Sequence, residues 1–191
     1  MARPRTFDPN DVLDTARELF WRKGYQGTSF DDLTAETGLT KPSLYAAFGD
    51  KASLFLKVLD RYHETVLARS AKALSGALTG EAAIEAWLTG FVGLCSGETG
   101  FRGCLSVNTA TDGSIDDRAL ENSIAHFNAR LEKLVLSRLH ADRAQFSDDF
   151  EPAATARTIM AIYFGLMVMA KQQPSSRQVR AIISQVKKLF T

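Results

Sequence analysis

Thr28-Ser29-Phe30-Asp31-Asp32-Leu33, then Thr37-Gly38-Leu39-Thr40-Lys41-Pro42-Ser43-Leu44-Tyr45-Ala46-Ala47-Phe48-Gly49-Asp50-Lys51, is the stretch that decides the fold. Thr28-Ser29-Phe30-Asp31 has the form of a capping box with Asp in place of Glu, so it opens a helix that turns Phe30 and Leu33 inward. Gly38 ends that helix. Thr40-Lys41-Pro42 opens the next one, a short helix with Leu44 and Phe48 one turn apart on its inner face. Two short helices joined by a glycine-bearing turn, with Leu39 anchoring the turn, make a helix-turn-helix. Upstream, Asp8-Pro9 is an N-cap followed by a proline that lacks only an N–H the helix does not use. Val12, Leu13, Ala16, Leu19 and Phe20 then share one face, and Gly24 stops the helix.

The third helix of this bundle presents Thr40, Lys41, Pro42, Ser43 and Tyr45 on its outer side, with the small Ala46 and Ala47 beside them. Hydroxyls, one ammonium and small residues suit a helix that enters a major groove. Thr28 is expected to cap the second helix where a phosphate would lie. Lys51 opens a fourth helix and adds its charge to the positive helix end. Arg3 and Arg5 form an N-terminal arm that can reach a neighbouring groove. Net charge does not carry this reading: the chain is +1 overall, and residues 1–60 hold 8 Lys+Arg against 9 Asp+Glu. Affinity for DNA has to come from a few placed groups.

In register, residues 8–60 resemble the DNA-binding domain of the tetracycline-repressor (TetR) family. The resemblance implies an all-α homodimeric regulator, usually a repressor, released from operator DNA by a small ligand in its C-terminal part. It further implies that Thr28, Tyr45 and Lys51 hold phosphates and that Thr40 to Tyr45 face the groove. Many members carry His just before the phenylalanine that closes the recognition helix; Ala47 stands there in this chain, which removes one such contact.

The remaining sequence is helical throughout and makes the fold class all-α: a helix-turn-helix unit over residues 1–50 and a larger ligand-sensing and dimerisation unit over 51–191. A long amphipathic helix runs from Lys51 to about Leu78. Ile84, Trp87, Leu88, Phe91 and Cys95 mark another; a glycine-dense connector follows over 97–103; and Leu105 to Ala110 is short. Leu120, Ile124, Phe127, Leu131 and Leu134 mark a further helix, and the last two cover about 152–171 and 176–190. The run Ile159–Ala170 is apolar on all sides, so it must be buried on all sides. Pairing of the last two helices with their copies in a second subunit satisfies that need, and Ala161 and Gly165 allow close approach.

Trp87, Phe91, Phe101, Cys104, Phe127, Met160, Tyr163, Phe164 and Met167 are the expected lining of an effector pocket, which favours a partly apolar small molecule. Cys104, directly after Arg102-Gly103, sits beside a positive charge at a helix start, the setting of a reactive thiol, with Cys95 as a resolving partner. The segment also resembles one in a branch of the TetR family that senses electrophiles or oxidants, so a switch at Cys104 is the alternative reading. Catalysis is not expected. His63, His126 and His140 are isolated, and no metal-binding motif, phosphate loop or dinucleotide fingerprint occurs. No cofactor is implied. A helical enzyme and an interaction module are the distant alternatives. The longest nearly apolar stretch has 12 residues against the ~20 of a membrane span. With no signal sequence and two cysteines, the expectation is a cytoplasmic protein with reduced thiols and no membrane partner.

Overall fold

The computed structural model describes residues 7–76, 79–95, 102–112 and 117–190. Arg3, Arg5, Phe101, the side chain of Cys95 and the turn at 113–114 lie outside them. Every regular element among the described residues is helical.

Helix α1 (Pro9–Lys23) starts where Asp8 accepts the Asn10 N–H at 2.8 Å, with proline at its first turn. It buries Val12, Ala16, Leu19 and Phe20 and ends at Gly24, φ +76°. Helix α2 (Phe30–Thr37) is capped by Ser29, not Thr28: Ser29 and Asp32 exchange hydrogen bonds with each other's backbone in a full capping box. The cap sits one residue later than expected because Thr28 is buried and its hydroxyl donates to Gly24 O at 2.7 Å. Gly38, φ +68°, takes the left-handed conformation that lets the chain turn into α3 (Lys41–Phe48). Thr40 caps α3, and Asp50 caps α4 (Lys51–Leu74).

Helix α4 is shared by both halves of the molecule. On one side, Arg61 holds Asp14 and Asn10 of α1, and Lys57 donates to Phe48 O at the end of α3. On the other, Arg130 of α7 (Arg118–Ala141) pairs with Glu64. Arg138 closes the far end of α4 by donating to the carbonyls of Leu74 and Gly76. The helix stops at Leu74, short of the expected Leu78, with Ser75 as its C-cap.

Helix α5 (Gly80–Cys95), α6 (Leu105–Thr111), α8 (Pro152–Ala170) and α9 (Ser176–Gln185) complete the fold. A 3-10 turn, Val186–Leu189, follows α9 and keeps Val186 and Phe190 buried. One apolar core runs from Val12 to Phe190 without a break at position 50. Truncating one of its large members, such as Phe20 or Leu59, removes about 2–5 kcal/mol.

Helix α8 is longer than its apolar run. At 19 residues with a mean hydropathy of 1.5, it meets the length and composition of a membrane span. Its inner face, Ile159, Met160, Tyr163, Leu166 and Met167, packs in the core. Its outer face, Ala161, Gly165 and Val168, is exposed in the single chain.

Candidate nucleic-acid interface and sensor centre

The outer side of α3 is built on a rigid frame. Leu44 and Phe48 are buried, and Thr40 accepts the Ser43 N–H, which fixes the first turn. Thr40, Lys41, Pro42, Tyr45 and Ala46 are exposed, and Ser43 is partly so. Tyr45 is 51% exposed, yet its ring lies flat on Phe30 with centroids 4.3 Å apart and 3° between planes. The ring is therefore packed while the hydroxyl points to water. Lys41 pairs with Asp31 at 2.7 Å, an exposed contact that an approaching phosphate can displace at little cost.

Two expected contacts are placed differently. Thr28 is 0% exposed and its hydroxyl is spent on Gly24 O, so it offers no free surface to a phosphate; Ser29 is the exposed hydroxyl at that helix start. Lys51 is half-buried. Its ammonium donates to the carbonyls of Tyr25 and Thr28, each at 3.1 Å, and lies 4.5 Å from the Tyr25 ring centroid. Two of its three N–H groups thus tie α4 to the turn between α1 and α2. Sequence reading missed this because the carbonyls belong to a segment 23 and 26 residues away.

The described members of the expected effector lining pack largely on one another, and Phe101 lies outside the described residues. Trp87 stacks on Tyr163 at 5.4 Å, and Phe91 meets both rings edge-on. Trp87, Phe91, Cys104, Met160, Tyr163 and Met167 are all buried, and none lines the five cavities found among the described residues. Phe164 lines an apolar cavity of about 330 Å³ between α6, α7 and α8, and Phe127 lines a polar groove between α4 and α7.

Cys104 is the N-cap residue of α6 and is 1% exposed. Arg102 does not face it alone, because its guanidinium pairs with Glu18 of α1. The groups on the sulfur are two hydroxyls: Tyr62 of α4 at 3.2 Å and Tyr163 of α8 at 3.7 Å. Gly103, φ +67°, makes this approach possible, since a Cβ there would lie 2.8 Å from Met167 O.

Beside Tyr62, His63 is not isolated. It is 4% exposed, stacks on Phe127 at 4.2 Å, and bonds to Ser106 of α6 at 3.0 Å and to Ser123 of α7 at 3.4 Å. Burial pushes its pKa down to about 4. The signal was in the sequence: His63 lies one turn after the buried Leu59, on the inner stripe of α4. Among the described residues, no group of three His, Cys, Asp or Glu is placed to hold a metal ion.

Comparison with known proteins fits this geometry. The profile of bacterial regulatory proteins of the tetR family matches residues 12–58, the span of the helix-turn-helix and its frame. The HTH-type transcriptional repressor BdcR of Escherichia coli K12 is 32% identical over 182 residues, covering 94% of this chain and 87% of its own. The chain belongs to the TetR family. A second TetR-type relative, the repressor ComR of the same organism, is 28% identical over 191 residues, covering 98% and 91% of the two chains. Among solved structures, a cysteine-substituted variant of the TetR family regulator CifR, complexed with 26-base-pair operator DNA, superposes with a TM-score of 0.90. It is 28% identical and covers 99% of this chain and 100% of its own. Reduced NemR of E. coli shares the fold, with a TM-score of 0.85 at 21% identity over 95% and 96% of the chains. BdcR, ComR and CifR are transcription regulators, and TetR membership makes this chain a regulator and not an enzyme.

Proposed function

We propose that the protein is a repressor that binds a palindromic operator as a homodimer and leaves it when its helical unit is perturbed. The observation that carries this is the outer face of α3: polar, exposed, and locked to a capped, buried frame. Residues 1–50 form the DNA-reading unit. Thr40, Lys41, Pro42 and Ser43 meet the groove, and Tyr45 and Lys51 hold phosphates, Lys51 through its remaining N–H. Residues 51–191 form the sensing and dimerisation unit, and the exposed apolar face of α8, with α9, pairs with its copy. The two-fold axis then matches that of the operator. The CifR complex with operator DNA supports the same partner for this chain. A cytoplasmic location follows from that partner.

The input to the switch is a partly apolar small molecule in the helical unit. A second reading is supported by Cys104: its sulfur is enclosed by hydroxyls from α4 and α8, so oxidation or alkylation adds atoms where there is no room and displaces α4. CifR itself has been crystallised with its cysteines substituted.

The test is fluorescence anisotropy on duplexes tiling the protein's own upstream DNA and a genomic fragment library, across a salt series. Tight binding to one sequence, with log K falling linearly against log salt, is the expected result. Equal weak binding to every duplex overturns the proposal. With the operator in hand, an oxidant or electrophile releases the wild type and spares Cys104→Ser if the thiol is the input.

A further inference from the structure

We propose that the cavity between α6, α7 and α8 binds a small, mainly apolar molecule that carries a hydroxyl, and that Ser106 Oγ accepts that hydroxyl's proton. The inference rests on the effector reading above and assigns that effector a chemical class. The cavity, about 330 Å³, is walled by Val107, Ile124, Phe164 and Val168, with Ser106 and Asn128 as polar members, and Gly165 and Val168 place its open side on the α8 face proposed above to meet the second copy. Thr111 also borders it, with its hydroxyl proton given to the carbonyls of Val107 and Asn108 and its lone pairs, at an exposed position, served by water. That volume is at the small end for ligand pockets and suits a single ring.

The proton count around His63 sets the chemistry. Ser123 Oγ is 2.9 Å from Asp60 Oδ1 and 3.4 Å from His63 Nδ1. A carboxylate only accepts, so the one Ser123 proton goes to Asp60, and Ser123 accepts from His63 Nδ1–H. A neutral imidazole has one N–H, which leaves Nε2 bare. Ser106 Oγ, 3.0 Å from Nε2, therefore donates its proton there. Burial keeps His63 neutral; Glu64 opposes this effect, while Arg130 and His126 reinforce it. The chain of donors runs one way, from Ser106 through His63 and Ser123 to Asp60.

Ser106 thus lines the cavity with its one proton already given to His63. It is 1% exposed, so bulk water has little access to its remaining lone pairs. An ether, carbonyl or carboxylate sets lone pair against lone pair, whereas an alcohol or phenol donates. Asn128, which has no hydrogen-bond partner among the described residues, supplies an N–H for the same oxygen to accept. A site built to pair a ligand O–H rejects the analogue that lacks it.

The test is calorimetric titration of the full chain with 4-methylphenol and with 4-methylanisole, its methyl ether. The phenol is expected to bind saturably and about tenfold or more tighter than the ether. Ser106→Ala should bring the two within about twofold. Asn128→Leu, at a partly exposed position where stability is not at stake, should weaken the phenol several-fold and leave the ether unchanged. Equal or tighter binding of the ether, no saturable binding of the phenol, or discrimination that survives Ser106→Ala overturns the inference. Operator titration of the same sample separates the two ideas. Tight operator binding without phenol binding removes the site and spares the regulator; phenol binding without any operator does the reverse.

Discussion

Lys51→Met removes an ammonium that the structure uses twice over. Two charge-assisted bonds to the carbonyls of Tyr25 and Thr28 are lost, each worth about 1.5–3 kcal/mol when well shielded, together with a cation–π contact of about 0.5–1 kcal/mol. The site is half-buried, so water takes over part of the carbonyls' needs, and a net loss of about 2 kcal/mol is expected. With a urea m-value near 2 kcal/mol/M, that moves the unfolding midpoint down by about 1 M. Both proteins must be compared at one concentration, because the proposed subunit association would add to apparent stability. If the third N–H also holds a phosphate, the slope of log K against log salt for operator falls by about 0.9. A midpoint shift under about 0.2 M refutes the clamp. A lowered midpoint with an unchanged salt slope makes Lys51 a structural tie and removes it from the DNA contacts.

Tyr45→Phe keeps the stack on Phe30 and loses only the exposed hydroxyl, so operator affinity should fall about three- to tenfold while thermal unfolding stays put. Ala161→Arg places a charge on the outer face of α8; sedimentation should show a folded monomer, with operator binding reduced by more than tenfold. His63 titrates near 4 in the fold against about 6.5 in the unfolded chain, so between those values the unfolded state binds the extra proton. Stability should therefore fall with pH from 6.5 towards 4, at up to about 1.4 kcal/mol per pH unit. Urea unfolding across that window should show His63→Gln with a flatter profile than the wild type. Below about pH 4 the carboxylates of Asp14, Asp32, Asp50 and Glu64, each held low by a hydrogen-bonded partner, add a further decline.

What the sequence made legible was whatever depends on near neighbours. Asp8-Pro9, Gly24, Gly38 and Thr40 mark their helix ends because capping is decided within four residues. The one slip there is instructive. Thr28 and Ser29 are equally good caps in isolation, and the choice fell to Ser29 because Gly24 O lay within reach of Thr28. The helical core was less legible. Spacing identified Trp87, Phe91 and Tyr163 as inward-facing but not that their three rings meet, since that depends on how α5 and α8 pack. The links from Lys51 to Tyr25, Tyr62 to Cys104 and His63 to Ser106 span 26 to 43 residues and depend on how whole helices pack.

Tyr62 and His63 stand near the middle of α4, and Lys51 at its tip. Eleven residues of helix separate Lys51 from Tyr62, a rod of about 16 Å. Pivoting that rod by about 5° at its middle sweeps the tip through roughly 1.4 Å. In a symmetric pair the two tips move in opposite directions, so the separation of the reading heads changes by nearly twice as much. DNA fixes that separation in whole turns of about 34 Å. On the proposed switch, a disturbance no larger than one added oxygen or one small ring, acting on the middle of α4, would therefore arrive at the double helix as a ruler of the wrong length.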